Sequence, residues 1–475
     1  MHKLIVGGKE QESSSSFEVL NPFDSSLVDT VASAGEGQVE EALSAAEAAR
    51  PEIRALPRSE RAKVLYEVSR QLKARSDQLS RLLAAEAGKT LKEARGEVAR
   101  AANTFAFAGD EAKRLAGEII PFDAVPGGHG RQGCSLKVPL GVILAITPYN
   151  FPVNLAAHKI APAMAAGNPF ILKPASVTPL SGIMLGKIIL EAGFPPGGVS
   201  VLPGPGSSVG LKLVRDPRPR MVTFTGSVDV GKQIAREAGY KKIGMELGSN
   251  SGIVVTGSAD LDFACGRIVA GAYALAGQVC ISVQRVVAQR DIFDQLVERV
   301  TGLTAEVKAG DQLDPATTMG PMISEKEAAR VEAWVGEATQ AGAKVRTGGT
   351  RQGTLFQPTV ITGVPEDKNL WQEEAFGPVV AINPYDDFEE ALASINETRY
   401  GLQAGIFTDS LDQAFKAIES LDVGGVIVND FPTYRVDQMP YGGVKDSGIG
   451  REGLKYAIAE MTEEKLICFN FWRPD

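Results

Sequence analysis

The central part of the chain alternates between short runs of β-forming residues and stretches with helical character. Between Gly141 and Thr256 the β-rich runs are GVILAIT, PFILKP, VSVLPG, MVTFTG, KKIGMEL and GIVVT. Strands that return to the same sheet through helices form right-handed βαβ units, and they then lie in a parallel sheet. A second series, from Asp260 to Asn429, predicts a second α/β lobe. At 475 residues the chain is long enough for both lobes, since a domain takes roughly 150 residues.

The segments before these two series have other patterns. Lys3–Val6, Phe17–Leu20 and Leu27–Ala32 alternate apolar and polar residues around turn residues, which predicts a small group of antiparallel strands. From Glu36 to about Glu118 the apolar residues recur at three-, four- and seven-residue steps, and this spacing predicts amphipathic helices.

The C-terminal run EKLICFNFW is apolar and strand-like. An exposed strand of this composition promotes aggregation unless something covers it. The run therefore predicts either an edge strand of the chain's own sheet or a contact with another subunit. The sequence leaves both interpretations open.

Histidine and cysteine are scarce, and their spacing disfavours metal and disulfide chemistry. None of them forms the CxxC, HxxxH or HExxH pattern of a metal site. We therefore expect no metal site and no disulfide framework. These residues are His2, His129, His158, Cys134, Cys265, Cys280 and Cys468.

The net charge disfavours nucleic acid as a partner. The chain has 49 Lys and Arg residues against 58 Asp and Glu residues, a formal net charge of −9, whereas a surface that binds duplex nucleic acid is basic. The first residues lack the apolar core of a signal peptide, and no stretch reaches about 18 uninterrupted apolar residues. We expect small-molecule partners, no membrane contact and a cytoplasmic location with reduced thiols.

A literal GxGxxG motif occurs at Gly448–Gly453, but its context does not fit dinucleotide binding. That fingerprint needs a strand before it, a helix after it and an acidic residue about 20 positions further on, at the end of the next strand. Too few residues follow the motif for such a unit. We interpret it as a glycine-rich turn.

Two other junctions are better candidates for binding a phosphate. Gly226 and Ser227 stand where a β-rich run meets a helix start, and backbone N–H groups at such a start bind phosphate without a charged side chain. Lys173 and Ser176 follow the β-rich run at 170–172, at the carboxyl end of a strand, where open α/β sheets bind ligands. The plainer interpretations are a helix cap for the first junction and a solvated loop lysine for the second.

Cys280 differs from the other cysteines in its surroundings. It stands in GQVCIS, where an Ala-rich helix breaks into a loop, and this is the exposed setting that a nucleophile needs. Cys134 and Cys468 lie in strand-like runs and Cys265 lies on an apolar helix, where cysteine acts as a small hydrophobic residue. A buried, structural Cys280 remains an alternative at this point.

A nucleophilic Cys280 needs a base, and histidine is nearly absent. His158 is the only interior candidate, and a lone histidine on a helix is more often structural than catalytic. Glu246 ends a hydrophobic β-rich run, and partial burial raises the pKa of such a carboxyl group toward the range of a general base. We therefore expect Glu246 in that role.

Seven motifs, in consistent order along the chain, resemble those of the NAD(P)-dependent aldehyde dehydrogenases. They are TPYNFP (147–152), KPAS (173–176), FTGS (224–227), MELGSN (245–250), GQVC (277–280), EEAFGPV (373–379) and PYGGVKDSGIGREG (440–453). The resemblance implies an α/β fold with a Rossmann-like cofactor lobe, a catalytic lobe and a small β extension that joins subunits into homodimers or homotetramers. The implied domains are residues 1–118 and 140–246 for the cofactor, 247–430 for catalysis, 119–139 and 455–475 for the extension, and 431–454 as a loop returning to the cofactor lobe.

The resemblance also implies catalytic roles within these motifs. Cys280 would be the nucleophile, Glu246 the general base and Asn150 the oxyanion donor. Thiolate attack on an aldehyde carbonyl creates a tetrahedral oxyanion, which the Asn150 amide and the Cys280 backbone N–H would stabilise. Hydride would pass to nicotinamide, and water deprotonated by Glu246 would hydrolyse the thioester to a carboxylate.

Cofactor contacts follow from the same resemblance. Many NAD-preferring members have Glu where this chain has Ser176. A carboxylate there repels a 2′-phosphate, and serine removes the repulsion, so we expect NADP to be preferred and NAD to be a possible cofactor. The other implied contacts are Lys173 with the adenine ribose, Gly226 and Ser227 with the pyrophosphate, Glu374 with the nicotinamide ribose, and Phe376 with the nicotinamide.

The substrate entrance would include Phe151 and the apolar neighbours of Cys280. Three residues are candidates for binding an anionic tail such as a carboxylate, phosphate or sulfonate: His158, Arg285 and Arg435. Arg285 could instead pair with an acid on its own strand, and Arg435 could be a loop charge. The string FPTYRVDQMPYGGVKDSG is most similar to the lactaldehyde, non-phosphorylating glyceraldehyde-phosphate and succinate-semialdehyde dehydrogenase branches, and we do not choose among them.

Two alternatives to a hydrolytic aldehyde dehydrogenase remain. In a CoA-acylating semialdehyde dehydrogenase CoA replaces water, and Glu246 counts against it because that chemistry needs no water-activating base. The other alternative is a non-catalytic member that keeps the fold. The intact set of Cys280, Glu246 and Asn150 counts against it.

Overall fold

The computed structural model describes residues 1–471. Its strands are β1 (Leu4–Val6), β2 (Lys9–Gln11), β3 (Ser16–Leu20), β4 (Leu27–Ala32), β5 (Arg131–Pro139), β6 (Val142–Ile146), β7 (Phe170–Lys173), β8 (Val199–Val201), β9 (Pro219–Thr225), β10 (Lys242–Glu246), β11 (Gly252–Val255), β12 (Arg285–Gln289), β13 (Lys344–Thr347), β14 (Arg351–Gln352), β15 (Leu355–Phe356), β16 (Thr359–Thr362), β17 (Val379–Tyr385), β18 (Gln403–Phe407), β19 (Gly425–Val428), β20 (Gly448–Ile449) and β21 (Thr462–Asn470).

The α-helices connect and cover these strands. They are α1 (Glu36–Ala55), α2 (Arg58–Ala74), α3 (Ser76–Ala87), α4 (Leu91–Arg114), α5 (Asn154–Ala166), α6 (Leu180–Glu191), α7 (Leu211–Arg215), α8 (Val228–Glu237), α9 (Leu261–Tyr273), α10 (Arg290–Ala305), α11 (Glu325–Gln340), α12 (Asn369–Gln372), α13 (Phe388–Asn396), α14 (Leu411–Ser420) and α15 (Leu454–Glu460). Within residues 1–471, no helix has the length and apolar character needed to cross a lipid bilayer.

The first lobe is built on a sheet with the strand order β2-β1-β8-β7-β6-β9-β10-β20. The strands from β8 to β10 are parallel, and β1, β2 and β20 pair antiparallel at the edges. The predicted parallel sheet is confirmed, with two corrections. The run GIVVT is β11, which belongs to the second sheet. Lys3–Val6 was expected among separate antiparallel strands, but its residues in β1 are buried and form an edge of this sheet.

The second lobe has the strand order β13-β16-β17-β12-β11-β18-β19. All of these strands are parallel except β13, which pairs antiparallel with β16. Strand β11 has the sequence GIVV and is buried throughout, as expected for a parallel strand that is covered on both faces. The predicted fold class, α/β with two parallel-sheet lobes, is confirmed.

Side chains of successive residues point to opposite faces of the first sheet, and helices cover each face. In β6, Ile143 and Ala145 join a core formed with α2 to α6 and α15. Val142, Leu144 and Ile146 of the same strand join a core formed with α1, α7 and α8. This two-faced burial explains why the run GVILAIT is continuously apolar.

Three two-stranded antiparallel sheets lie outside the large sheets among the described residues. Strands β3 and β4 form one and strands β14 and β15 another. Strands β5 and β21, from distant parts of the chain, form the third, which pairs from Thr462 opposite Pro139 to Asn470 opposite Arg131. The C-terminal run is thus paired within its own chain, yet its outer side chains Leu466 and Phe469 are 59% and 57% exposed. Residues 472–475, the end of the predicted extension, lie outside the described residues.

After β19 the chain returns to the first lobe through residues 431–454. Strand β20 pairs with β10, so that Gly448 lies opposite Glu246 and Ile449 opposite Met245. Helix α15 then buries Leu454 and Ile458 in the core of the first lobe. The returning segment therefore closes one edge of the sheet that the chain began much earlier.

Candidate active site

A cleft between the two lobes collects the ends of many strands. The parallel strands of the first sheet all end at one edge, with Lys173 ending β7 beside Ile146 of β6 and Glu246 ending β10 beside Thr225 of β9. The second lobe faces this edge with the segments that precede β12 and β17. The cleft contains a cavity of about 1200 Å³. The predicted site residues that line it are Asn150, Phe151, Lys173, Gly226, Ser227, Cys280, Glu374, Phe376 and Arg435.

Cys280 follows a strained turn between α9 and β12. Leu275 and Ala276 have positive φ angles of 50° and 52°, and Gly277 has a φ of 71°. Gly277 cannot be replaced freely, because a Cβ there would lie 2.0 Å from the carbonyl oxygen of Gly377. Non-glycine residues keep such angles only where the surroundings hold them, and here Glu93 accepts a 2.6 Å hydrogen bond from the Leu275 N–H.

The Cys280 thiol lies in the wall of the cavity, within hydrogen-bond distance of a tyrosine. Its Sγ is 3.0 Å from the Tyr441 hydroxyl oxygen. Burial raises the pKa of the thiol to about 11, while the hydrogen bond from Tyr441 and the charge of Arg435 act in the opposite direction. A thiolate at this position therefore depends on the polar groups around it.

Asn150 lies on a loop that a buried ion pair anchors. Its Nδ2 donates to the carbonyl oxygen of Gln278, at 2.9 Å, two residues before the nucleophile candidate. The following N–H groups, of Val153 and Asn154, donate to Glu97 at 2.9 and 3.0 Å. Glu97 in turn pairs with Lys89 at 2.8 Å, and both side chains are fully buried.

The same lysine supports the aromatic wall of the cavity. The Lys89 ammonium lies 3.6 Å from the centre of the Phe151 ring. A cation over a ring face is attracted to it, and more strongly where water is excluded. The contact with Lys89 therefore fixes the ring of Phe151, which the sequence predicts at the substrate entrance.

Glu246 ends β10 and is buried beside a second, small cavity of about 20 Å³. Burial and the nearby charge of Glu452 raise the pKa of Glu246 well above its usual value, which favours the protonated form of the carboxyl group. A Cβ on Gly442 would lie 2.9 Å from Glu246 Oε1, so the carboxyl group packs directly against that glycine. The small cavity has room for about one water molecule.

Lys173 and Glu374 are buried ionisable groups at opposite ends of the predicted cofactor contacts. Burial lowers the pKa of Lys173 to about 8 and raises that of Glu374 to about 7. Glu374 Oε1 accepts a hydrogen bond of 2.9 Å from the Ser249 N–H. The hydroxyl groups of Thr147 and Thr225 line the same cavity and have no hydrogen-bond partner among the described residues. These groups, together with the start of α8 after Ser227, fit a polar ligand such as a dinucleotide.

Ser176 lies at the rim of this region and is half-buried. Its neighbours Ala175 and Val177 line the cavity, while its own hydroxyl donates to the carbonyl oxygen of Gly204 at 3.0 Å. Position 176 is therefore adjacent to the cavity but its side chain is engaged elsewhere.

Arg435 is held rigidly in the cavity wall. It pairs with Glu452 at 2.8 Å, its side chain is 7% exposed, and its guanidinium lies 3.7 Å from the centre of the Tyr441 ring. Its Nε has no hydrogen-bond partner among the described residues. Glu452 also accepts from Lys159 at 2.9 Å. Burial opposes ionisation of Glu452, but the charges of Lys159 and Arg435 outweigh it and hold its pKa well below the usual range.

The sequence analysis did not single out Arg100 and Tyr441, two residues that line the cavity. Arg100 of α4 lines it and binds both oxygens of Asp437, at 2.7 and 3.3 Å. Arg100 is one of many charged residues on an amphipathic helix, so no local signal distinguishes it. Tyr441 stands inside the motif PYGGVKDSGIGREG, where its chemistry could have been noticed.

Two predicted substrate residues are corrected by the structure. Arg285 is completely buried outside the cavity lining, where it donates to the carbonyl oxygens of Ser394, Asn250 and Ile395 at 3.1 to 3.2 Å. It stabilises the second lobe and is not available to a substrate. His158 is 2% exposed and lies beside the small cavity, with Nε2 2.9 Å from Asp437. Burial and Arg435 lower its pKa, so it supplies no cation at neutral pH.

Comparison with known proteins assigns the family. A model of the aldehyde dehydrogenase family matches residues 9–467. The chain belongs to this family. It is 44% identical over 467 residues to a 3-sulfolactaldehyde dehydrogenase of Priestia megaterium, with 98% of each chain covered.

Solved structures of aldehyde dehydrogenases agree with this assignment. The chain is similar to aldehyde dehydrogenase 21 from Physcomitrella patens in complex with the reaction product succinate, with 41% identity, a TM-score of 0.96 and coverage of 99% and 98%. It is also similar to the NADP-dependent glyceraldehyde-3-phosphate dehydrogenase from Bacillus halodurans complexed with NADP, with 35% identity, a TM-score of 0.97 and 99% of each chain covered.

The protein is therefore an NAD(P)-dependent oxidoreductase that acts on aldehydes. The predicted resemblance, fold and enzyme class are confirmed. A non-catalytic member of the fold, the alternative from a different class, is not supported.

The raised pKa of Cys280 predicts a steep pH dependence of its reactivity. Only the thiolate reacts with iodoacetamide, and well below a pKa of about 11 the thiolate fraction rises about tenfold for each pH unit. In the enzyme without cofactor, we expect labelling of Cys280 to accelerate in this way from about pH 7 to about pH 9. Mass spectrometry of the labelled peptide, with Cys280→Ser as background, measures it. A plateau below about pH 9 would contradict the prediction.

Proposed function

We propose that the enzyme oxidises a small anionic aldehyde to a carboxylate, with Cys280 as nucleophile, Glu246 as general base and Asn150 as oxyanion donor. The observation that carries this proposal is that the Cys280 thiol lies between an amide in its own cavity and a tyrosine that adjoins a buried carboxyl group. The thiol of Cys280 and the amide of Asn150 share the cavity wall, and the buried carboxyl group of Glu246 packs against Gly442, next to the tyrosine that contacts the thiol.

In the first step the Cys280 thiolate attacks the aldehyde carbon. The sulfur lone pair forms the S–C bond and the carbonyl π electrons move to oxygen, which becomes the oxyanion of a thiohemiacetal. Donors fixed before the reaction stabilise such an oxyanion without reorganisation. The Asn150 amide is supported by its bond to the Gln278 carbonyl and by the Glu97 anchor behind it, and the Cys280 N–H is the second donor.

The other half of the cavity would hold the cofactor. Lys173 would contact the adenine ribose, the Gly226-Ser227 start of α8 the pyrophosphate and Glu374 the nicotinamide ribose, while Phe376 would support the nicotinamide ring. When bound, NAD(P) supplies the acceptor for hydride from the thiohemiacetal carbon. Phe376 has a positive φ of 45° and its ring meets that of Tyr149 edge to face at 6.1 Å, so the wall on this side is rigid.

Release of the acid requires water and a base. The raised pKa of Glu246 favours its protonated form, and a base must act as the carboxylate. The adjacent small cavity, with its acidic and basic lining, is a buried polar region through which that proton can leave. The deprotonated carboxylate then takes a proton from water as water attacks the thioester. This arrangement favours hydrolysis over acyl transfer to CoA, which needs no such base.

Single-turnover kinetics tests the catalytic roles. Mixing enzyme, NADP and aldehyde should give a rapid burst of NADPH absorbance followed by steady turnover. Cys280→Ser should abolish the burst. Glu246→Gln should keep the burst and lower steady turnover by about a hundredfold or more, since a general base contributes at least that factor. Full turnover in Glu246→Gln would refute the base, and turnover that requires added CoA would favour the acyl-transfer alternative.

We further propose that NADP is preferred over NAD. Position 176 adjoins the cavity and carries no negative charge, and Lys173 is the cation nearest to it in the sequence. An acidic side chain at this point would repel a 2′-phosphate. The Bacillus halodurans relative was solved with NADP bound, which agrees with this preference.

One added negative charge should shift cofactor preference from NADP toward NAD. Ser176→Glu is expected to lower the ratio of kcat/KM for NADP to that for NAD by about tenfold or more, because a carboxylate repels the 2′-phosphate. Steady-state kinetics with both cofactors measures the ratio. Ser176→Ala, which removes the hydroxyl without adding charge, serves as the matched control. A wild-type kcat/KM for NAD ten times that for NADP would refute the proposed preference.

Charge at the inner end of the cavity supports an anionic substrate. The three cations Arg100, Lys159 and Arg435 face two carboxylates, Asp437 and Glu452. These five groups together carry a net positive charge of one, and the raised pKa of Glu246 favours the form that adds no negative charge. Two of the cations, Arg100 and Arg435, line the cavity itself. A carboxylate or sulfonate on the aldehyde would neutralise that excess through charge-assisted hydrogen bonds.

Relatives act on molecules of this kind. The Priestia megaterium relative is a 3-sulfolactaldehyde dehydrogenase, and the Physcomitrella patens enzyme was solved with succinate. The substrate we propose is accordingly a three- or four-carbon aldehyde with an acidic group at its far end.

Loss of one arginine should separate anionic from neutral substrates. We expect Arg100→Met to lower kcat/KM for a four-carbon aldehyde with a terminal carboxylate by about tenfold or more relative to butyraldehyde, because a hydrogen bond between charged groups is lost. Arg95→Met is the matched control, since Arg95 lies on the same helix, 57% exposed. Equal kcat/KM for the two aldehydes in the wild-type enzyme would contradict an anionic substrate.

We propose that the enzyme assembles as a homodimer or homotetramer through the β5–β21 sheet. Leu466 and Phe469 of β21 are 59% and 57% exposed, and Phe471, just after the strand, is 64% exposed. Clustered apolar side chains of this kind mark interaction surfaces. Light scattering distinguishes the assemblies from a 50.3 kDa monomer.

A cytoplasmic location is also proposed, because a catalytic thiol needs a compartment that keeps it reduced.

A further inference from the structure

The Tyr441 hydroxyl contacts the reacting sulfur, and none of the steps above uses it. It lies 3.0 Å from Cys280 Sγ, and the tyrosine side chain is only 3% exposed. Its backbone is fixed by two hydrogen bonds with Glu452, with the Tyr441 N–H donating at 3.1 Å and the Glu452 N–H donating back at 2.6 Å. The phenol is therefore a rigid part of the site.

The direction of the hydrogen bond follows from the chemistry of the two groups. Burial raises the pKa of Tyr441 well above its usual value, and the Cys280 charge acts in the same sense, so the phenol keeps its proton. A thiolate has no proton to donate. Once Cys280 ionises, the Tyr441 O–H must be the donor and the sulfur the acceptor.

Arg435, which lies over the ring of Tyr441, makes the phenol O–H a stronger donor. Its guanidinium lies 3.7 Å from the ring centre, and the ion pair with Glu452 keeps it there. A cation over the ring face stabilises electron density in the ring, which makes the phenol O–H a better donor. Arg435 thus acts on the sulfur through Tyr441 as well as through its own charge.

The remaining charges near the thiol oppose its ionisation. Glu374 and Glu246 both raise the pKa of Cys280 when charged, as does burial itself. Tyr441 and Arg435 are the groups that act the other way, and His158 does not contact the sulfur.

We propose that Tyr441 is a catalytic residue that stabilises the Cys280 thiolate by an O–H···S hydrogen bond, with Arg435 as the residue that positions and polarises it. The inference rests on the proposed role of Cys280 as nucleophile. Tyr441 keeps its proton throughout. When the sulfur lone pair forms the S–C bond, the negative charge moves to the substrate oxygen, and the hydrogen bond to sulfur weakens.

The size of the effect follows from two opposing trends. When the thiol pKa falls by one unit, the thiolate fraction at a given pH rises about tenfold, but that thiolate becomes about threefold less nucleophilic. Stabilising the thiolate therefore accelerates its reactions about threefold for each unit, as long as the pH stays below the pKa. A hydrogen bond to a charged group is worth one to two such units.

The test is the alkylation of Cys280 by neutral iodoacetamide in the full-length enzyme at about pH 8. We expect Tyr441→Phe to slow alkylation about threefold to tenfold, and to slow the NADPH burst by a similar factor. Tyr273→Phe is the matched control, because it removes a buried tyrosine hydroxyl outside the cavity lining, where Tyr273 lies 3.2 Å from the Thr304 hydroxyl and donates to the Thr359 carbonyl oxygen at 3.1 Å. Its alkylation rate should stay within about twofold of the wild type.

Several outcomes would overturn the proposal. Unchanged or faster alkylation in Tyr441→Phe would mean that the hydroxyl only accepts a hydrogen bond from the neutral thiol. An equal loss in Tyr273→Phe would indicate general repacking, and a slower burst with unchanged alkylation would assign Tyr441 to the substrate. Alkylation measures the reactivity of the Cys280 sulfur without turnover. If Cys280 were not the nucleophile, the NADPH burst would persist in Cys280→Ser, so the two failures can be distinguished.

A second variant keeps the phenol in place. Arg435→Lys retains a cation for Glu452 and the Tyr441 hydroxyl, but it removes the planar group stacked on the ring. We expect alkylation to slow about twofold, with a thermal unfolding midpoint near that of the wild type. If Tyr441→Phe did not fold, an unchanged alkylation rate in Arg435→Lys would overturn the proposal.

Discussion

Burial of charge at the junction of the lobes is the constraint on which the rest of the site depends. An ion buried without a partner destabilises a protein by several kcal/mol, and three cations at this junction are matched by carboxylates. Lys89 pairs with Glu97, Arg100 with Asp437, and Arg435 with Glu452. Arg100 and Asp437 are 337 positions apart, Lys89 lies against the ring of Phe151, and Arg435 lines the cavity. The loops that carry Asn150 and Tyr441 are fixed as a result.

Glu246 and Glu452 show how one small region gives two carboxyl groups opposite properties. Glu452 has Lys159 and Arg435 as partners and stays ionised. Glu246 has no such partner, and the ionised Glu452 adds repulsion to burial. Separation of pKa values by environment is how active sites assign acid and base roles. The unpartnered Oε2 of Glu246 is consistent with a group that exchanges protons.

Sequence periodicity was sufficient to predict both parallel sheets, because buried parallel strands are continuously apolar. It could not assign β11 to the correct sheet or join β1 to the first one, since strand partners depend on contacts between distant segments. The predicted residues that line the cavity belong to motifs at strand ends. Arg285 and His158 were wrong as substrate residues because their charge and polarity are satisfied by distant backbone and side-chain groups. Arg100 was missed for the same reason: Asp437 lies 337 positions away.

The returning segment 431–454 has a consequence for how the molecule comes into being. It supplies Arg435, Asp437, Tyr441 and Glu452 to the site, and β20 and α15 to the first lobe. A ribosome must therefore have made the chain as far as Glu452 before the cleft can be completed. Until then the first sheet lacks an edge strand and exposes the core that α15 covers. Nascent chains consequently carry Cys280 without its neighbouring phenol, and the polar groups around the sulfur are assembled only after the second lobe has been synthesised.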